Sequence, residues 1–185
     1  TTKQHLQAIG VPGDSVLVVP PGVDEAWTGG RHQVNGATRA QLGFEPDDIV
    51  VVYFGAPTAL RGLHTLIRSL TLAHRSEPRL RLLVLSRRQA DGPLREDWEM
   101  DRLLAASGAG QYTKVVHGFL SQESLVRHVA AADIVALPFE LVPSDAPLSV
   151  LEAQALGKPI VTTEIACLPE LVNRRTNYLA QPGDP

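Results

Sequence analysis

Residues 48–75 read DIVVVYFGAPTALRGLHTLIRSLTLAHR, and the fold is decided here. Asp48–Phe54 is nearly all apolar and rich in β-branched residues, the pattern of a strand covered on both faces. From Arg61 to Arg75 the apolar residues Leu63, Leu66, Ile67, Leu70 and Ala73 fall near i, i+3, i+4 and i+7, which predicts an amphipathic helix. Working outward, the same alternation repeats. Ser15–Val19, Arg79–Leu85, Lys114–His117, Ile134–Pro138 and Pro159–Thr163 read as further strands. Leu94–Ala106 and Gln122–Ala132 read as helices, the second with Ser121 as its N-cap. Strand and helix alternating through short connections predict an α/β fold, a doubly wound parallel sheet with helices on both faces. The most polar stretch, Ser86–Arg102, reads as a surface loop leading into a helix.

Composition removes several function classes. The 185 residues suit one domain with a real core. Seventeen Lys and Arg against twenty Asp and Glu give a net charge of −3, so there is no basic field for nucleic acid. The lone Cys167 cannot close an internal disulfide, which excludes a stapled secreted class. No apolar run approaches the ~18–20 residues of a membrane span. The opening TTKQHLQAIG lacks a signal-peptide pattern, and the expected location is cytoplasmic. The chain has no initiator Met, and we read it as a piece of something longer.

In open parallel sheets ligands sit beyond the carboxyl ends of the strands. Two segments there carry chemistry. Gly55–Gly62 (GAPTALRG) leads from the buried strand into the helix, where unpaired N–H groups and the helix dipole favour an anion. Arg61 adds a fixed bidentate charge, and Gly55 and Gly62 let the backbone approach closely. The same residues would also serve a plain chain turn with a solvated Arg. The segment is neither a Walker loop nor a dinucleotide fingerprint.

Pro143–Gly157 (PSDAPLSVLEAQALG) is the second segment, a predicted helix with Ser144 or Asp145 as cap and Pro147 in its first turn. Leu148, Leu151, Glu152 and Ala155 share one face of it, and Glu152 is the only charge between Asp145 and Lys158. A carboxylate so placed needs hydrogen bonds. A ribose diol would supply two donors, and a buried backbone group or an Arg across the fold would serve equally.

Taken in order, these pieces resemble the C-terminal, donor-binding half of a GT-B glycosyltransferase of family four, the group 1 glycosyl transferases. Val18–Asp24 (VVPPGVD) is similar to the family's entry segment, so 1–30 is read as an entry to a single domain, 1–185. Gly55–Gly62 stands where the family has Gly-Arg-Leu-x-x-x-Lys-Gly. His117–Leu120 (HGFL), Ala132–Pro138, Pro143–Val161, Pro169–Val172 and Gln181–Pro185 complete the run. The chain departs from the pattern twice. Ala56 stands at the loop's first basic position, leaving Arg61 at the second. In the Glu-x7-Glu register, Glu152 fills the ribose-binding place, but the first place falls on Ser144, and Asp145 substitutes only if the loop shifts.

The resemblance implies a retaining, metal-independent transfer of sugar from a UDP- or GDP-type nucleotide sugar, with no cofactor. Its implied nucleotide-sugar-binding residues are Gly55, Arg61, Gly62, His117, Gly118, Ser144, Asp145, Leu148, Ser149 and Glu152, with Arg61 and Glu152 central to catalysis. The sequence has no Asp-x-Asp and no His/Asp cluster at metal spacing. The acceptor-binding N-terminal domain is absent from these residues, and the chain alone is expected to bind nucleotide diphosphate weakly without turnover. Membrane surface stays open as a partner of the full-length enzyme. Two alternatives remain: half of a GT-B sugar-nucleotide epimerase or phosphorylase, and a catalytically degenerate Rossmann-like module.

Overall fold

Each strand pairs in parallel with its neighbours, so every strand-to-helix turn lies on one edge of the sheet. The computed structural model describes residues 2–19, 21–28, 36–86, 95–142, 144 and 146–185. In chain order the elements are α1 (Thr2–Ala8), α2 (Gly36–Leu42), β1 (Ile49–Gly55), α3 (Leu63–Ala73), β2 (Leu80–Ser86), α4 (Arg95–Ser107) and β3 (Thr113–His117). They continue with α5 (Gln122–Ala130), β4 (Ile134–Leu137), α6 (Leu148–Ala155), β5 (Ile160–Thr163), α7 (Leu168–Leu171) and β6 (Tyr178–Ala180). The strand order is β3-β2-β1-β4-β5-β6, a Rossmann-like sheet whose order reverses between β1 and β4.

The core follows from the apolar runs. Val50–Phe54 of β1 and Leu82–Leu85 of β2 are buried throughout, and α3 covers them with Leu63, Leu66, Ile67 and Leu70. The entry segment is anchored by Trp27, which is 1% exposed and stacks on Phe54 with ring centroids 6.1 Å apart. Asp24 makes that insertion possible: its side chain accepts from Ala26 N at 2.9 Å and caps the short turn Glu25–Trp27. Ser121 caps α5 as expected, accepting from Ser124 N.

Away from the turn-bearing edge, a charged network ties α2 to the sheet. Arg39 is buried and donates to the carbonyls of Ala131 (2.8 Å) and Asp48 (3.3 Å) and to the Asp133 carboxylate (2.5 Å). Asp133 also accepts from Val50 N at 2.8 Å. Beside it Lys158 Nζ donates to the carbonyls of Ala130 and Ala132, closing the end of α5. Desolvation pushes the Lys158 pKa down, and the nearby Asp133 charge offsets part of that.

Two expectations are corrected. Ser15–Val19 is not a strand: a short turn, Gly13–Ser15, is followed by irregular backbone, and Leu17, Val18 and Val19 are 86%, 61% and 74% exposed. Apolar, β-branched residues make a strand only where a neighbour completes the ladder; no described strand pairs with this segment. The helix expected from Pro143 begins at Leu148, with Pro147 at its N-cap position and no side-chain cap. Ser144 lies too far upstream to cap it; Pro143 and Asp145 lie outside the described residues, as does most of the polar stretch after Ser86. The core face of α6 is formed by Ser149, Val150 and Ala153, while Leu151, Glu152 and Ala155 are half-buried and Leu148 is exposed.

In the loop after β5, Ala166 holds a left-handed φ of 48°. An L-residue pays about 1–2 kcal/mol there, and glycine does not. Ala166→Gly should therefore stabilise the chain by about 0.5–1 kcal/mol despite glycine's greater chain entropy, read as a raised urea midpoint with unchanged m. Among the described residues no helix is long and apolar enough to cross a membrane.

Candidate functional site

The β1–α3 turn is held by contacts that only its own residue types permit. Gly55 has φ +135°, and Arg61 lies over it so closely that a Cβ there would stand 2.4 Å from Nη1. The half-buried Arg61 also faces the ring of Phe139, with Cζ 5.6 Å from the centroid. A short turn, Ala59–Arg61, ends at Gly62, whose φ of +69° starts α3 with no side-chain cap. A Cβ on Gly62 would stand 1.8 Å from the Pro138 carbonyl oxygen.

Hydrogen bonds fasten the loop at both ends. Tyr53 Oη donates to the Ala56 carbonyl at 2.6 Å. Burial raises the Tyr53 pKa well above its ordinary value, Arg61 opposing only in part, so the phenol stays a donor. At the far end the Leu60 carbonyl accepts from Glu140 N at 2.9 Å and Leu141 N at 3.0 Å. Thr65 Oγ1 donates to Glu140 Oε1 at 2.6 Å. The loop after β1 thus rests on the segment after β4, and Arg61 stands where the strand order reverses.

Helix α6 follows β4 on the same edge. Its first N–H groups, at Leu148 and Ser149, have no intrahelical acceptor, while Val150 N bonds the Pro147 carbonyl. Ser149 is 8% exposed, and its hydroxyl has no hydrogen-bond partner among the described residues. Glu152 is half-buried one turn into the helix. Ser144 is exposed, and its carbonyl receives Cys167 Sγ at 3.8 Å; Cys167 is half-buried. Gln154 Nε2 donates to the Leu171 carbonyl at 2.6 Å and ties α6 to α7.

Ser86 and His117, at the ends of β2 and β3, both approach the buried Asp97. Ser86 Oγ donates to Asp97 Oδ1 at 3.1 Å, and His117 Nδ1 stands 3.5 Å from the same oxygen. Gly118 N donates to the Ser86 carbonyl at 3.2 Å. His117 and Gly118 therefore lie on the turn-bearing edge, one strand beyond β2 from Arg61's strand. Among the described residues no group of three His, Cys, Asp or Glu side chains is placed to hold a metal ion.

Phe139, Glu140, Thr65 and Asp97 belong to this neighbourhood and were not singled out in the sequence. Phe139 and Glu140 directly follow a strand end, the one local signal that pointed to them. Asp97 and Thr65 carry none, because their partners lie 11 and 75 residues away.

A 3-2-1-4-5-6 parallel sheet with Arg61 at its switch point defines a Rossmann-like α/β class. Residues 48–185 match the family model described as glycosyl transferases group 1. The chain belongs to that family. It is 33% identical over 175 residues to a D-inositol 3-phosphate glycosyltransferase of Saccharomonospora viridis, covering 91% of this chain and 39% of the relative. Its identity to the protein of that name from Segniliparus rotundus is 31% over 157 residues, 84% of this chain and 33% of the relative. The chain thus spans between a third and two fifths of these relatives. Anabaena HepE, solved in complex with UDP, superposes with a TM-score of 0.80 at 22% identity, over 99% of this chain and 48% of that one. The C-terminal domain of a group 1 glycosyl transferase from Francisella tularensis superposes at 0.68 with 16% identity, over 88% of this chain and 82% of that domain. Both share the fold, a GT-B half.

Proposed function

We propose that this chain is the nucleotide-sugar-binding half of a retaining, metal-independent glycosyltransferase, with its acceptor held by a domain outside these residues. The observation that carries the reading is the buried Ser149 hydroxyl in the first turn of α6, without a hydrogen-bond partner among the described residues and on the sheet edge that also bears Arg61. A leaving diphosphate gathers negative charge, and fixed cations and N–H dipoles aimed at that charge lower the barrier. Arg61, the N–H groups that open α3 after Gly62, and those of Leu148 and Ser149 would meet it. Glu152 would accept from the ribose diol, and His117 and Gly118 would border the base.

UDP is the first nucleotide to try, since a fold neighbour was solved with it; GDP is the second. In this reading Asp145 replaces the carboxylate missing at Ser144 through a one-residue shift of the loop. Cys167 is not in a disulfide, which suits a reducing, cytoplasmic setting.

Calorimetry with UDP, GDP and ADP tests the reading. The parent chain should bind one of them weakly and show no sugar transfer alone. Arg61→Ala should weaken that binding roughly 10–100-fold, the range for losing a charge-assisted contact, and Glu152→Ala by about tenfold or more. Binding of no nucleotide at all would instead favour the degenerate module, which Ala56 and Ser144 would suit. Turnover by the isolated chain would overturn the need for a second domain.

A further inference from the structure

We propose that Glu140 is a positioning residue of the nucleotide site, holding the β1–α3 loop so that Arg61 meets the diphosphate already in place. This rests on the reading above. Glu140 is two residues past Pro138, the residue that Gly62 packs against, and it grips the loop twice. Its N–H donates to the Leu60 carbonyl, and its carboxylate accepts from Thr65 Oγ1 at 2.6 Å. Residues 60 and 65 bracket Arg61 and the first turn of α3, so the two bonds close around the diphosphate's seat.

The chemistry excludes a simpler role. A carboxylate beside that seat repels a diphosphate, so its presence needs a reason other than ligand attraction. The Thr65 side chain is buried, and its hydroxyl requires an acceptor. An O–H···O⁻ bond of this length belongs to the charge-assisted class, about twice as strong as a neutral one. The same segment runs on toward Ser144 and α6, so Glu140 also joins the two sides of the site. A loop ordered before binding loses less freedom on binding.

The test is binding of UDP and of uridine to the parent chain and to Thr65→Val, Glu140→Ala, their double variant and Glu140→Gln. Thr65→Val and Glu140→Ala should each weaken UDP binding roughly three- to tenfold while uridine stays within about twofold. The double variant should be no weaker than the worse single one. Glu140→Gln keeps an oxygen for Thr65 and should bind UDP at least as well as the parent. If Glu140→Ala does not fold, the near-isosteric Thr65→Val carries the same comparison. Parent-like UDP affinity in the first two variants, equal losses for uridine, or tighter binding by Glu140→Ala and Glu140→Gln alike would overturn the positioning role and leave the site reading standing. A parent chain that binds no UDP would overturn the site reading, and this inference with it.

Discussion

Gly62→Ala is expected to displace the β1–α3 loop and destabilise the chain by about 2–5 kcal/mol, the sum of a left-handed alanine and an overpacked contact. The new methyl would sit 1.8 Å from the Pro138 carbonyl oxygen and 2.8 Å from its carbon. Both are backbone atoms at the end of β4, so no side chain can rotate away. Either α3 backs off from the sheet or the segment after β4 moves. The first loosens the packing of Leu63, which is 0% exposed; the second breaks the bonds from Glu140 and Leu141 to Leu60. Denaturant unfolding reads the stability loss. The fraction still folded should also bind nucleotide diphosphate more weakly, because Arg61 directly precedes the displaced residue. An unchanged midpoint together with unchanged UDP affinity would contradict both.

Arg39→Ala should cost about 3–5 kcal/mol, as expected when one partner of a buried pair is removed. The guanidinium serves three acceptors contributed by α2's neighbours: the Ala131 carbonyl past α5, the Asp48 carbonyl ahead of β1, and the Asp133 carboxylate ahead of β4. Its loss leaves two buried carbonyls and the half-buried Asp133 carboxylate short of a donor. Arg39→Met with Asp133→Asn is the informative companion. The methionine keeps the apolar stem, and the asparagine oxygen still accepts from Val50 N. That double variant should recover part of the loss, since two neutral groups replace a half-broken ion pair. Because the network lies away from the turn-bearing edge, UDP affinity of the folded protein should not change. A midpoint within about 0.5 kcal/mol of the parent would show that the pair contributes nothing, as exposed pairs often do.

These two sites differ in how well the sequence exposed them. Gly62 and Arg61 were legible because a buried strand, a glycine-bounded turn and an amphipathic helix follow one another within 28 residues. The α3 stripe and the Ser121 cap were legible for the same reason: each depends on neighbours in the chain. Arg39 offered no such signal, since its partners lie up to 94 residues away. Glu140 and Thr65 are equally remote from each other. Ser15–Val19 misled because strand propensity describes a surface fit to be paired, and pairing is supplied by another part of the molecule. Helix α6 started late because Pro147 and an uncapped first turn outweighed the upstream Ser144.

By itself the amino-acid order determined that this chain makes a parallel α/β sheet and which loops follow the ends of its strands. Both follow from periodicity, which is written in adjacent residues. Only the tertiary structure decided which residues support the site: Phe139 under Arg61, Glu140 on Thr65, and the Pro138 carbonyl against Gly62. Those contacts join segments from adjacent strands, β1 and β4, that are some 75 residues apart in the chain. Their energies depend on distances of a few ångströms, which chain order alone does not set.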